Sequence, residues 1–514
     1  MRSMSIVSRL GRVHAFSEGV DMPARYDAAI IGAGFGGMGA AIELGRLGYD
    51  KLVILERESD LGGTWHVNRY PGLAVDIPSS TYSYSFEPNP YWSRLFAPGA
   101  ELNDYAHHVA DKYDVRKYMR FDTAVAGAAW DELHGHWVVR CADGTELTAT
   151  YLVTATGFLS QPKVPDIDGI DTFAGKIIHT TAWDDSYDLT GTRAAVIGTG
   201  ATAVQLIPEL AEQVSELTVY QRTPIWVSPK PDVAIPSALR KLFAAVPLSQ
   251  KLVRLIGTSI LEVMMVTGVL QYKQLPLANK LGETWCRAHL TRQVRNRALR
   301  RKLTPDYSFG CKRPTFSNTY YRTFTRDHVH LETASIDSVD ATGIRTADGT
   351  RRDIDVLVLA TGFNLWDVNF PAIEILGRDG RNLGQWWREN RFQAYEGITV
   401  PKFPNFVSLN SPYSYSGLSY FTTIESQMRH INRLFTAMRE RESTVFEVSQ
   451  DANDEFLNRM TDKVADSVFA RGNCATANSY YFNQHGEATL LRPSSTLSTF
   501  REASHFPLED YHYA

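Results

Sequence analysis

The sequence has little cysteine for its length. Its 514 residues include four cysteines, Cys141, Cys286, Cys311 and Cys474, which lie far apart and form no CxxC pair or Cys/His ligand cluster. This spacing argues against a disulfide framework and against a structural zinc site, and it fits a reducing compartment. We therefore expect a cytoplasmic protein with neither of these stabilising devices.

The sequence also lacks a strong excess of one charge and a long apolar run. Its 53 Lys and Arg residues oppose 57 Asp and Glu residues, a net charge of −4, which argues against general nucleic-acid binding. Residues 1–25 lack the apolar core of a signal peptide, and we interpret them as a loosely attached N-terminal arm.

The most apolar run, Leu255–Leu270, is shorter than a membrane span and contains Glu262. We favour a buried or interface helix for this run. Contact with a membrane surface stays open because basic residues precede the run, namely Arg240, Lys241, Lys251 and Arg254.

Gly32, Gly34 and Gly37 form a GxGxxG fingerprint directly after the apolar run YDAAII. The first glycine allows a tight turn, the second a close approach of a pyrophosphate, and the third close packing of helix on strand. Glu56 ends the next apolar strand and is placed to accept a hydrogen bond from a ribose hydroxyl. Trp65, a few residues later, offers a flat face to a cofactor ring.

A second strand, glycine turn, helix and strand follow with a GxGxxA fingerprint at Gly198 and Gly200. About twenty residues further, where a carboxylate usually reads the ribose 2′-hydroxyl, the chain has Gln221 and Arg222. A carboxylate would repel a 2′-phosphate, whereas Arg222 can pair with it. The sequence therefore favours NADPH over NADH, with Thr223 as a further hydroxyl contact.

Two copies of this unit predict an α/β fold with two Rossmann-like doubly wound dinucleotide-binding domains and a helical insertion. Two strands that both end in ATGF, Tyr151–Phe158 and Val356–Phe363, are interpreted as crossings between the domains. The predicted division is a discontinuous FAD-binding domain of residues 26–160 plus 360–514, an NADPH-binding domain of residues 165–355, and a helical subdomain of residues 234–303 inserted into the latter.

Lys312 and Arg313 stand side by side among Gly, Pro and aromatic residues. A fixed guanidinium suits an oxygen anion that must be stabilised without being protonated, and Lys312, pointing the other way, can reach a phosphate. Upstream, the segment Phe173–Asp184 contains His179, an acid–base candidate by residue type. Its position between an ATGF strand and the second fingerprint favours a role in coupling the domains over a catalytic one.

With these residues assembled, the chain resembles the type I Baeyer-Villiger monooxygenases, within the flavin-containing monooxygenase superfamily. Flavin monooxygenases that oxidise nitrogen or sulfur usually have Tyr or Phe at the position of Trp183. The family fingerprint FxGxxxHxxxW, followed by Pro or Asp, is matched by Phe173, Gly175, His179, Trp183 and Asp184. A second family motif is matched by Gly63, Trp65, Tyr70, Pro71, Gly72 and Asp76.

The resemblance implies FAD and NADPH as cofactors, Arg313 as the active-site arginine and Asp76 as its partner. In the family, a Ser-Trp pair often lies on a loop over NADP, and this chain has Tyr480 at the Trp position. The implied FAD contacts are Gly32, Gly34, Gly37, Glu56, Trp65, Asp76 and Tyr82, with Gly63, Thr64 and Val125 as further cofactor contacts. The implied NADPH contacts are Gly198, Thr199, Gly200, Ala201, Thr202, Arg222, Thr223 and Lys312.

The implied reaction passes hydride from NADPH to FAD, forms a flavin C4a-peroxide with O2, and inserts one oxygen next to a ketone carbonyl to give an ester or lactone. Three alternatives stay open: a flavin monooxygenase that makes N-oxides or sulfoxides, an NADPH oxidase that only releases peroxide, and a flavoprotein scaffold without turnover. The segments Ser408–Phe421 and Leu255–Leu270 are consistent with an apolar, aromatic-lined pocket for a bulky or hydrophobic ketone, and equally with ordinary core packing.

Overall fold

The structure is a computed structural model that describes residues 25–415 and 417–514. The N-terminal arm assigned to residues 1–25 therefore lies outside the described residues, apart from Arg25. The strands, in chain order, are β1 (Arg25–Ile31), β2 (Leu52–Leu55), β3 (Met119–Arg120), β4 (Val125–Asp131), β5 (His136–Cys141), β6 (Glu146–Thr154), β7 (Lys176–His179), β8 (Arg193–Ile197), β9 (Glu216–Tyr220), β10 (Val227–Ser228), β11 (Thr315–Phe316), β12 (Val329–Glu332), β13 (Ile336–Val339), β14 (Gly343–Thr346), β15 (Arg351–Asp353), β16 (Val356–Leu359), β17 (Glu374–Leu376), β18 (Phe406–Ser408), β19 (Phe446–Val448) and β20 (Tyr511–Tyr513).

The helices connect and cover these strands. In chain order they are α1 (Phe35–Arg46), α2 (Thr64–Val67), α3 (Gly99–Lys112), α4 (Ala201–Leu210), α5 (Ser237–Ala245), α6 (Pro247–Glu262), α7 (Pro276–Gln293), α8 (Arg297–Leu303), α9 (Tyr320–Thr323), α10 (Leu383–Asn390), α11 (Tyr420–Glu440), α12 (Gln450–Val464), α13 (Val468–Arg471) and α14 (Thr496–His505). A π-helical turn, Val263–Leu270, continues α6.

Two large sheets carry the fold. The first has eight strands in the spatial order β17-β4-β5-β6-β1-β2-β3, with β18 also paired to β6. The second has five parallel strands in the order β12-β9-β8-β16-β7. The smaller sheets are the pair β10-β11, the antiparallel β13-β14-β15 and the antiparallel pair β19-β20.

The centres of the two large sheets have the same plan. In the first, β1 lies between β6 and β2, and in the second, β8 lies between β16 and β9, with parallel pairing throughout. Each central strand leads into a glycine fingerprint, and each neighbour β6 or β16 leads into an ATGF sequence. The predicted α/β class with two Rossmann-type sheets is confirmed.

The chain passes directly from one large sheet to the other twice, in the connection from β6 to β7 and in the connection from β16 to β17. The domain boundaries expected near residues 160 and 360 fall in these two connections, and as boundaries they stay a prediction. The helices α5 to α8 occupy the stretch expected to form a helical subdomain.

Helix α1, which follows the first glycine fingerprint, is rich in small residues because it is closely packed. It packs between the first sheet and α11, and nearly all of its residues are buried. A Cβ atom on Gly39 would lie only 2.8 Å from the Ile424 side chain of α11. The close packing fixes the N-terminus of α1 at the carboxyl end of β1, which is where the cavity described below opens.

The apolar run at Leu255–Leu270 is not a buried helix, so that part of the expectation is wrong. It forms the end of α6 and the π-helical turn, and Leu255 is 63% exposed and Val263 61% exposed. Within the described residues, the continuous helical stretch Pro247–Leu270 is the one that has the length and apolarity needed to cross a membrane. Its inner face packs on the protein along its length, while its apolar face lies at the surface.

Candidate active site

One large cavity, of about 1540 Å³, lies between the two Rossmann-type sheets. It is larger than the roughly 300–1,000 Å³ that holds a single drug-sized ligand. Gly32, Gly34, Gly198 and Gly200 of the two glycine fingerprints line it, as do segments from β2, from the Lys312-Arg313 pair and from the C-terminal part of the chain. Gly37, expected as an FAD contact, is not in this lining and instead packs on the Gly32 carbonyl. The cavity therefore has room for two dinucleotides.

The first glycines of the two fingerprints have matching geometry. Gly32 has φ +108° and Gly198 has φ +112°, values that side chains rarely allow. A Cβ atom would lie 2.6 Å from the Ala155 carbonyl oxygen in the first unit and 2.3 Å from the Ala360 carbonyl oxygen in the second. Both alanines open the ATGF sequences, so each fingerprint turn is packed against the end of the strand beside it.

The helices that follow the fingerprints have free N-termini. Gly34 caps α1 and Gly200 caps α4, and neither helix has a side-chain capping hydrogen bond. A Cβ atom on Gly200 would meet nothing within 4 Å. Unpaired N–H groups and a positive helix end form a binding site for an anion such as a pyrophosphate. These residues therefore fit two dinucleotides, one at each helix.

Glu56 is buried at the first fingerprint and lines the cavity. Its carboxylate accepts hydrogen bonds from the Ala33 N–H at 2.7 Å and from the Glu58 N–H at 3.0 Å. Two backbone donors fix the carboxylate at the end of β2. A carboxylate has about four acceptor positions, so acceptor capacity remains for a ribose hydroxyl.

One side of the cavity is built around Trp65 and Tyr82. Their ring centroids lie 5.6 Å apart at 78°, an edge-to-face contact, and burial raises the pKa of Tyr82 above its ordinary value. Gly63 has φ +54°, and a Cβ there would lie 3.1 Å from the Gly34 Cα. Thr64 and Val125 also line this side, so the residues expected near FAD lie together.

Two cationic side chains, Arg222 and Lys312, lie at the end of the cavity that holds the second fingerprint. Arg222 and Lys312 both line the cavity, and the pKa of Lys312 is lowered to about 8 by burial and by the charge of Arg222. Two cations without a carboxylate between them favour a dianionic group such as a 2′-phosphate. The remaining expected NADPH contacts, Thr199, Ala201, Thr202 and Thr223, line the same end of the cavity.

Arg313 and Asp76 form a paired, charge-assisted contact inside the cavity. Nε of Arg313 donates to one carboxylate oxygen of Asp76 at 2.9 Å and Nη2 donates to the other at 3.0 Å, while Nη1 donates to the Tyr415 hydroxyl at 2.9 Å. Burial disfavours the charge, but Asp76, Tyr415 and Tyr481 together outweigh it and hold the pKa of Arg313 well above its ordinary value. The guanidinium is therefore a fixed positive charge at neutral pH.

Two residues that join parts of this site, Gln205 and Asn478, were not predicted from the sequence. Gln205 of α4 accepts from the Tyr70 hydroxyl at 3.1 Å and donates to the Ala74 carbonyl at 2.9 Å, so it joins the two cofactor units. Asn478 donates to the Thr223 hydroxyl at 2.8 Å. Nothing in the sequence pattern marks either residue, because each contact joins segments more than a hundred residues apart.

The expectation of no disulfide is wrong for one pair. Cys311 and Cys474 are disulfide-bonded, and Cys141 and Cys286 are free and buried. The bond joins the residue before Lys312 to the C-terminal segment that lines the cavity. A separation of 163 residues explains why no local cysteine spacing indicated it. Within the described residues no cluster of metal-binding side chains is present.

The C-terminal segment lies against the second unit. Tyr480 lines the cavity with Ser479, and its carbonyl accepts a hydrogen bond from Trp366 at 2.9 Å. Burial raises the pKa of Tyr480 well above its ordinary value, against the opposing charge of Arg313. The residue at the expected Trp position therefore lies near Arg313.

The fingerprint segment Phe173–Asp184 lies beside the cavity. Among the described residues of this segment, Thr181 lines the cavity, whereas His179, Trp183 and Asp184 do not. Strand β7 forms the edge of the second sheet beside β16, and His179 Nδ1 accepts from the Thr181 N–H at 3.2 Å. A Cβ on Gly175 would lie 2.3 Å from the Asp355 carbonyl oxygen, so this glycine allows the segment to pack on the sheet.

Comparisons with known proteins agree with this arrangement. The family described as pyridine nucleotide-disulphide oxidoreductase matches residues 29–262. A Baeyer-Villiger monooxygenase from Streptomyces coelicolor is 39% identical over 94% of this chain and 92% of its own length. Another from Pseudomonas aeruginosa is 38% identical over 94% of this chain and 90% of its own length.

Two solved structures are also similar. Oxidised steroid monooxygenase bound to NADP has a TM-score of 0.84 and 30% identity, covering 95% of this chain and 99% of that one. The complex of OTEMO with FAD and NADP has a TM-score of 0.83 and 29% identity, covering 96% of this chain and 100% of that one.

Two glycine substitutions separate folding from cofactor binding. Gly200→Ala should leave the melting temperature unchanged, because its φ is −75° and no atom lies near the added methyl, but should raise the KM for NADPH about tenfold by keeping the pyrophosphate away. Gly198→Ala should lower the melting temperature by a few degrees, since it strains a positive φ. Equal losses of stability in both variants would contradict this division.

The KM for NADPH should rise about tenfold between pH 7 and pH 9, because Lys312 loses its charge as the pH passes about 8 and a 2′-phosphate favours the charged form. Lys312→Arg should flatten the profile. NADH has no 2′-phosphate and serves as the control, with a KM that does not follow this titration. The same pH dependence with both nucleotides would rule out Lys312 as the phosphate contact.

Proposed function

The chain belongs to the Baeyer-Villiger monooxygenase family, and we propose that it oxidises a hydrophobic ketone to an ester or lactone, with Arg313 stabilising the reacting oxygen anion. It is an NADPH-dependent flavoprotein monooxygenase, and bound FAD and NADPH supply hydride transfer and the activation of O2. The contact that carries the proposal is the Arg313–Asp76 pair in the cavity between the two cofactor units.

Arg313 supplies a positive charge that it keeps, because its guanidinium does not release a proton at neutral pH. Its contacts with Asp76 and Tyr415 use three of the five N–H groups of the guanidinium. Two N–H groups remain, within the described structure, to donate to an oxygen anion in the cavity. A preorganised donor of this kind stabilises charge as it develops, without the cost of reorientation.

Asp76 acts as the positioning residue. Its two oxygens hold both edges of the guanidinium plane, which fixes the direction of the remaining N–H groups. Tyr415 fixes the third point of attachment. Because these partners come from distant segments, the orientation of the guanidinium depends on how three parts of the chain pack together.

We assign the 2′-phosphate of NADPH to Arg222 and Lys312, and the two pyrophosphates to the N-termini of α1 and α4. Thr199 donates to the Thr223 carbonyl at 2.9 Å, which places this hydroxyl-bearing pair beside Arg222. The FAD-binding role of residues 26–160 plus 360–514, the NADPH-binding role of residues 165–355 and the cytoplasmic location belong to the same proposal.

The substrate proposal rests on the cavity wall near Arg313. Phe158, Leu365, Tyr415 and Tyr480 line it there, and these side chains favour an apolar ligand with one polar group. A ketone carbonyl meets this description, and the related steroid monooxygenase carries the name of a bulky, hydrophobic substrate. The expected contribution of Leu255–Leu270 to the pocket is wrong, because the cavity lining does not include that run among the described residues.

Arg313→Ala should still bind FAD and oxidise NADPH, but its rate of ester formation should fall by on the order of 10²–10³, the cost of losing an oxyanion donor. Gas chromatography of the products from a cyclic ketone, with NADPH consumption followed in parallel, measures both quantities. The matched control is Arg57→Ala, which removes another arginine from the cavity lining and should leave the ester yield unchanged.

Normal ester yield in Arg313→Ala with a full content of FAD would remove the assignment. Supplying a thioether beside the ketone tests the main alternative, since an enzyme specialised for heteroatoms would give the sulfoxide and little ester. NADPH consumption that does not respond to either compound would instead indicate an oxidase.

Arg222→Ala should reduce the preference for NADPH over NADH by about 10- to 100-fold in kcat/KM, because a contact between charged groups is worth about 1.5–3 kcal/mol. The control is Arg345→Ala, which removes an exposed arginine from β14 in the same half of the chain. An unchanged ratio in Arg222→Ala would show that the 2′-phosphate binds elsewhere.

A further inference from the structure

Helices α5, α6 and α7 form an exposed apolar surface, which we call the α5–α7 face. Of the 22 large hydrophobic side chains that are exposed in the described structure, 15 lie between Leu239 and Trp285. Monomeric proteins rarely expose a contiguous apolar area of this kind without a function. Its members are Leu239, Leu242, Val246, Leu248, Leu252, Val253, Leu255, Ile256, Ile260, Val263, Met264, Leu275, Leu277, Leu281 and Trp285.

Helix α6 is amphipathic, but its polar side faces the protein. Exposed apolar residues recur at helical spacing, as in Leu248, Leu252 and Ile256. On the opposite side, Gln250 donates to the Asn89 carbonyl, and Arg254 donates to the carbonyls of Ser80 and Ser83. The hydrogen bonds to the body of the protein fix this orientation, so the apolar side faces outwards.

The same part of the chain is strongly basic. Residues 234–303 contain 13 Lys and Arg but only two acidic residues, a local charge of +11 in a chain whose total is −4. Both acids are engaged by the protein: Glu262 accepts from Thr496 at 2.9 and 2.7 Å, and Glu283 accepts from the Phe309 N–H at 3.2 Å. Lys241, Lys251 and Lys280 are exposed among the apolar residues.

We propose that the α5–α7 face docks on the surface of an anionic phospholipid bilayer. Apolar side chains would enter the boundary between headgroups and acyl chains, the lysines would contact anionic headgroups, and Trp285, which is 63% exposed, suits the interfacial layer. A second copy of this chain is a poorer partner, because it would bring the same exposed lysines, Lys241, Lys251 and Lys280, against this face.

The helix lies on the bilayer and does not span it. Gln250, Arg254 and Glu262 attach α6 to the protein over its whole length, so it cannot leave the fold without breaking these bonds. The attachment also connects the face to the site, since Ser80 and Ser83 flank Tyr82 of the cavity lining. The bilayer would thus lie close to a cavity that takes hydrophobic ligands.

Vesicle flotation with the FAD-loaded full-length enzyme tests the proposal. Vesicles of phosphatidylcholine with about 30% phosphatidylglycerol should carry the enzyme, vesicles of phosphatidylcholine alone should carry much less, and salt should weaken binding because it screens the charges. Absence of binding to the anionic vesicles at low salt would overturn the proposal.

Two sets of substitutions locate the face. Lys241→Gln/Lys251→Gln/Lys280→Gln should weaken partitioning roughly a hundredfold, from the loss of three headgroup attractions, and Leu252→Gln/Ile256→Gln/Ile260→Gln should abolish it. The controls are Lys51→Gln/Lys117→Gln/Lys402→Gln and Leu133→Gln/Val164→Gln, which change exposed residues elsewhere. FAD content and melting temperature verify that each variant is folded.

Two results would contradict the assignment. Equal losses in the control variants would show that binding is not specific to the α5–α7 face. Sedimentation could detect a dimer in the native protein but not in Leu252→Gln/Ile256→Gln/Ile260→Gln. If that variant also bound vesicles as well as the native protein does, the face would be a contact between copies of the chain.

Discussion

The ion pair between Arg313 and Asp76 is the contact on which the arrangement of the site depends. Taking two charges out of water is costly, and the cost is offset only when geometry is good and the remaining donors have partners. Here the pair is bidentate, at 2.9 and 3.0 Å, with Tyr415 as a third partner. Asp76 follows the first cofactor unit and Arg313 follows the second, so the pair forms only when the two units are packed together.

Other contacts hold the two units in the same relative position. Gln205 on the second fingerprint helix binds both Tyr70 and Ala74, and a Cβ atom on Gly72 would lie 2.7 Å from the Gln205 carbonyl oxygen. The segment that leads to Asp76 therefore packs against α4, the helix whose N-terminus we assign to a pyrophosphate. Placement of the second cofactor and orientation of Arg313 are in this way parts of one packing arrangement.

The sequence was sufficient for the features that depend on neighbouring residues. The glycine fingerprints after apolar strands predicted two dinucleotide-binding units. The absence of a carboxylate beside Arg222 predicted a 2′-phosphate on the second dinucleotide. Each inference needs only about thirty residues of one βαβ unit. Gln205, Asn478, Tyr415 and the Cys311–Cys474 bond could not be found this way. Each acts across more than a hundred residues, and a polar residue or cysteine in a loop has no local pattern that names its partner.

Helix α6 shows a different limit of sequence reasoning. Periodicity predicts that one side of a helix is apolar, but it is equally consistent with that side facing the core or facing outwards. The orientation is decided by Arg254, whose hydrogen bonds to the Ser80 and Ser83 carbonyls hold the polar side inwards. Those carbonyls flank Tyr82, which contacts Trp65 in the cavity. The contact that turns the leucines outwards is therefore also a contact that supports the cavity wall formed by Tyr82 and Trp65.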